Sequence, residues 1–110
     1  MADISLLDQA KKLERQVGGI LSAYDIAELP QRKREIVTVL KNQLIDARLD
    51  VQSYEYAQTR AEQLQAAGEA KERLQVAQEA IVTASEYNLF SAIDVAQLSA
   101  RIQQIISRIV

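Results

Sequence analysis

Apolar residues recur along this chain at alternating steps of three and four, in four stretches separated by breaks in the period. A helix brings such positions onto one face, so each stretch predicts an amphipathic helix with a buried stripe. In the first stretch the stripe is Leu6, Ala10, Leu13, Val17, Ile20 and Tyr24, and a helix is expected over about 3–25. Gly18-Gly19 lies off that stripe, where each glycine costs about 1 kcal/mol relative to alanine. A mild kink or a close helix contact accounts for the pair, with a hinge as the alternative.

Pro30 opens the second helix, since its fixed φ and missing N–H are tolerated in a first turn. Val37, Leu40, Leu44, Ala47, Val51, Tyr54, Ala61 and Leu64 form its stripe, widened by Ile36, Ile45 and Leu49. Unbroken over about 30–66, this helix is about 54 Å long and expected to meet more than one neighbour. The third stripe is Ala67, Ala70, Leu74, Ala77, Ile81 and Ala84, in a helix over about 69–87. A straight helix through Gly68 would leave this stripe rotated by about 130° from the one before it. The spacing therefore predicts a reversal at 66–69 with Gly68 in a left-handed C-cap, the alternative being one continuous helix with partners on two sides.

Tyr87-Asn88-Leu89-Phe90 breaks the period, and Ser91 with Asp94 has the spacing of a capping box. The fourth helix, over about 92–109, buries Val95, Leu98, Ile102, Ile105 and Ile109. Ile93, Ile106 and Val110 flank that stripe and make it unusually broad, as expected of a helix either central in the bundle or exposed to a second copy. The predicted fold is all-α: an antiparallel bundle of three to four helices with coiled-coil-like heptad seams, one helix unusually long, in a single domain over 1–110.

Composition agrees with a helical globule, with 48% apolar and 25% charged residues, one proline and three glycines. A net charge of −2 argues against broad binding to nucleic acid or an anionic membrane. The opening Met1-Ala2-Asp3-Ile4-Ser5 does not read as a secretory signal, and no run approaches a membrane span. A cytoplasmic protein without membrane insertion is expected.

The chain has no histidine, cysteine or tryptophan. Histidine-based metal sites, thiolate sites and a Ser-His-Asp triad are therefore excluded, and no phosphate-binding glycine loop occurs. Neither a cofactor nor a bound metal is expected. Glu55, Glu62 and Glu69 recur every seven residues, as do Glu72, Glu79 and Glu86, and these rows read as solvated faces.

Two features stand out against this background. Arg32-Lys33-Arg34 falls in a first helical turn, where cations oppose the macrodipole. Asp25, Glu28 and Glu35 are placed to compensate them; as a functional site the cluster would bind an anion, extended by Lys11, Lys12 and Arg15 if the first helix packs in register. Tyr56 lies off its stripe, either exposed and available to a partner or packed against a neighbouring helix, whereas Tyr24 and Tyr54 are expected in the core. The expected function is that of a non-enzymatic, self-associating helical interaction module, an adaptor, assembly factor or small chaperone-like protein. Its partner anchors are expected to be Ile93, Ile106, Val110 and Tyr56. The alternative is a small regulator that binds nucleic acid or another anionic ligand through the basic cluster.

Overall fold

A computed structural model describes residues 5–109. They form four α-helices: α1 (Leu6–Leu21), α2 (Gln31–Glu55), α3 (Arg60–Glu86) and α4 (Ala92–Arg108), with a single 3₁₀ turn, Ile26–Glu28, between α1 and α2. The helices pack as a ring, α1 on α2, α2 on α3, α3 on α4 and α4 on α1. Short connections make successive helices antiparallel, the up-down-up-down arrangement of a four-helix bundle. The molecule measures 46 × 29 × 18 Å, its length set by the α2–α3 hairpin. Val110 lies outside the described residues.

Each helix contributes one row to the core. Leu13, Val17 and Leu21 from α1, Leu40, Leu44 and Val51 from α2, Leu74 and Ile81 from α3, and Leu98, Ile102 and Ile105 from α4 are almost wholly buried. Fully burying a side chain of this size contributes about 2 kcal/mol. The rows of α2 and α3 are complementary in size. Ile36, Val37 and Leu40 on α2 have bulk, while α3 buries Ala66, Ala67, Ala70, Ala77 and Ala84, which lets the two long helices approach closely.

The reversal between α2 and α3 lies at 56–59, ten residues before its expected place. In place of one unusually long helix there are two of nearly equal length, 25 and 27 residues. Thr59 starts α3 as its N-cap, accepting from the amide of Glu62 at 3.1 Å, and the Glu62 carboxylate accepts from Gln58 N at 3.0 Å. Together these satisfy two amides near the start of α3, so Thr59-x-x-Glu62 acts as a capping pair. Gly68 is an ordinary helical position inside α3, and none of the glycines has a positive φ. The left-handed cap belongs to Asn88 (φ 64°), after α3, where Leu89 N donates to Ala84 O and Asn88 N to Ser85 O. That is the Schellman pattern, closed by the buried Leu89.

Moving the reversal explains which apolar residues stay outside. Ala61 and Leu64, expected on the α2 stripe, sit on α3 beyond the turn and are exposed, Leu64 by 49%. Ile45 and Leu49 face solvent on α2. The first helix also ends sooner than expected, at Leu21, which takes the core position; Ile20 and Tyr24 pack at its edge. At the start of α4, Ser91 and Asp94 form the expected capping box. Among the described residues no helix is long and apolar enough to cross a membrane.

Candidate functional site

The residue just before each core position of α2 and α3 falls on the outer flank of the hairpin, away from α1 and α4. On α2 these are Ile36, Val39, Gln43, Asp46 and Asp50; on α3 they are Glu69, Arg73, Val76, Ala80 and Thr83. Because the two helices are antiparallel, the rows lie side by side and line one groove. From Ile36 to Asp50 it runs about 21 Å, four turns of a helix.

The groove has two halves of different chemistry. Toward the α3–α4 turn, a hollow of about 430 Å³ is lined by Arg32, Glu35, Ile36, Val39, Ala80 and Thr83. Its surface is largely apolar, and Val39 is 52% exposed. Toward the α2–α3 turn, a second hollow of about 420 Å³ is lined by Gln43, Asp50, Glu69, Glu72, Arg73 and Val76. Here Arg73 bridges the two helices, 3.6 Å from Asp46 and 3.4 Å from Asp50. Asp50 Oδ2 is shut from water and faces Arg73 alone, and Gln43 Oε1 is shut from water and accepts no hydrogen bond. Burial raises the Asp50 pKa above the ordinary aspartate value, and Glu69 and Asp46 add to the rise against the pull of Arg73.

The residues singled out from sequence do not converge. Lys11 and Arg15 flank Glu14 and Arg48 in a shallow hollow where α1 meets α2, with Arg48 Nε 2.7 Å from Glu14; Lys12 is exposed. This register sets them beside Arg48, about 21 Å along α2 from Arg34, so they do not extend the 32–34 cluster. Arg32 is engaged by its neighbours: its Nε donates to the Tyr87 hydroxyl at 3.4 Å, its guanidinium lies 5.7 Å from that ring's centre, and Glu35 is 3.7 Å away. Lys33 is half-buried, and Arg34 turns to the other flank of α2, beside Ile26, Ala27 and Thr38.

The apolar candidates are equally scattered. Ile93 is 70% exposed in the first turn of α4, whereas Ile106 packs against the core. They stand about 20 Å apart along α4 and about 140° apart around it, so no single contact spans both. Tyr56 is exposed at the C-terminus of α2.

Of the glutamate rows, Glu55 is not a solvated side chain: it accepts from the free amides of Leu6 and Leu7, capping α1 from the end of α2. Among the described residues no group of acidic side chains is arranged to hold a metal ion. Sequence reasoning missed the groove because it depends on the α2–α3 register. Its signal was present as a second row of three and four steps, each residue one position ahead of the core stripe. Comparison of the chain with protein-family models, curated proteins and solved structures finds no match.

Proposed function

We propose that this chain is a non-enzymatic helical interaction module of the cytoplasm that receives a helix of another protein in the outer α2–α3 groove. The observation that carries this reading is the pair of hollows that follow one another along the outer α2–α3 seam, over about four turns of helix. Val39 and Val76 are exposed along it. A channel between two helices, with apolar residues at helical spacing on both walls, suits an amphipathic helix laid along it. The lack of histidine and cysteine favours binding over catalysis. The alternative anionic-ligand reading has weaker support, because the two basic groups are separated and Arg32 is already occupied by Glu35 and Tyr87.

Photocrosslinking in the source cells tests the reading. A photoreactive phenylalanine analogue replaces either Val39 in the groove or Gln104 on the exposed side of α4. A discrete protein adduct from position 39, absent from position 104, is expected. No adduct at either position, or the same set of adducts from both, overturns the proposal.

A further inference from the structure

Resting on that reading, we propose that the occupant of the groove is a basic amphipathic helix, apolar where it crosses Ile36, Val39 and Ala80 and carrying Lys or Arg where it crosses Asp46, Asp50, Glu69 and Glu72. The argument is charge complementarity along the channel. Its carboxylate half places these four acids around one guanidinium, that of Arg73, so three negative charges have no cation within the groove. Glu69 receives only a side-chain amide, from Gln65 at 3.4 Å. Asp50 meets Arg73 through its shielded Oδ2, at 3.4 Å, and shares that guanidinium with Asp46. Helices that present Lys or Arg at i, i+3 or i+4 spacing would place a cation over each turn of this half, while their apolar positions meet the other half.

A second copy of the chain fits less well. A two-fold axis across the middle of the groove would set the partner's opposite half over the carboxylates. That half brings Arg32 together with Glu35, one charge of each sign, so the excess negative charge would stay uncompensated.

The test uses designed helical peptides of about four turns that share one Leu/Ala stripe and differ at three positions facing the carboxylate half. These positions are Lys, Gln or Glu, and each peptide is made in both sequence directions. Fluorescence anisotropy is expected to rank binding Lys over Gln over Glu, with an advantage of about ten-fold for Lys over Gln, as three screened ion pairs of about two-fold each multiply. That advantage should shrink as salt rises from about 50 to about 500 mM. Combining Asp46→Asn, Glu69→Gln and Glu72→Gln should reduce the Lys peptide to the level of the Gln peptide while the protein keeps its helical circular-dichroism spectrum and cooperative unfolding. Val39→Glu should weaken all three.

Equal binding of the three peptides, still sensitive to Val39→Glu, overturns the basic helix and leaves the groove as a helix site. No binding, or binding indifferent to Val39→Glu, overturns both. Sedimentation of the protein alone gives the remaining outcome: a dimer that Val39→Glu dissociates assigns the groove to a second copy and overturns the basic helix.

Discussion

Asp50 concentrates the competing demands on the outer face of the hairpin. Its side chain is 22% exposed, and its partner Arg73 is shared with Asp46. Burial, with Glu69 and Asp46 nearby, raises its pKa above the ordinary 3.8. The folded chain therefore holds the Asp50 proton more tightly than the unfolded chain. The stability associated with this group is fully present below the ordinary value of 3.8 and is lost as the pH rises through the raised folded value. Asp50→Asn should accordingly stabilise the protein at pH 7, by about 0.5 kcal/mol for a partly screened charge. The gain should vanish when urea unfolding is repeated below the ordinary aspartate value. A gain of equal size at both ends of the range would show that the charge is not its source.

At the scale of elements, the position of one turn determines most of what could be read in advance. The existence of the helices, their antiparallel order, the capping box at Ser91 and nearly all of the core follow from three and four spacing. The reversal did not, because Gly68 is the only glycine between residues 20 and 110 and lies where the apolar stripe shifts phase. Glycine in an α-helix costs only about 1 kcal/mol, and tertiary packing readily absorbs that. The capping pair Thr59-x-x-Glu62 was the more specific signal, since it satisfies amides that a helix interior would not leave free. The candidate site was legible only as two separate rows, and register, which no single helix specifies, made them a groove.

Two substitutions separate the alternatives. A Cβ on Gly68 meets nothing within 4 Å, and the backbone there is helical, so Gly68→Ala should stabilise by about 0.5–1 kcal/mol. Thr59→Ala should destabilise by about 1 kcal/mol through loss of its cap. Denaturant midpoints decide the matter, because a left-handed cap at residue 68 would reverse the first sign and a continuous helix across 59 would reverse the second.

For the whole molecule, the ring of four helices is unequal. The α2–α3 hairpin forms the long wall, with helices of 25 and 27 residues, whereas α1 and α4 are shorter, at 16 and 17 residues. α1 is held at its start by Glu55, along its length by Arg48 with Glu14, and on the other side by Arg101, whose Nε donates to Gln16 at 2.9 Å. Its last turns carry Gly18 and Gly19, both exposed, which lower the cost of local unwinding. The connection that follows is held to the far end of the bundle by the Tyr24 hydroxyl, which donates to the carbonyls of Asn88 and Leu89. This distribution predicts an order of opening. Native-state hydrogen exchange should find the amides of residues 18–22 released by local fluctuations of low free energy, and those of Leu40, Leu44, Leu74 and Ile81 released only by global unfolding. Gly18→Ala should raise the protection of the first group toward that of the second, with little effect on α3. Uniform protection across α1 and α3 would mean that the ring opens as a single unit; graded protection leaves the α2–α3 wall, and the groove on its outer side, intact while α1 frays.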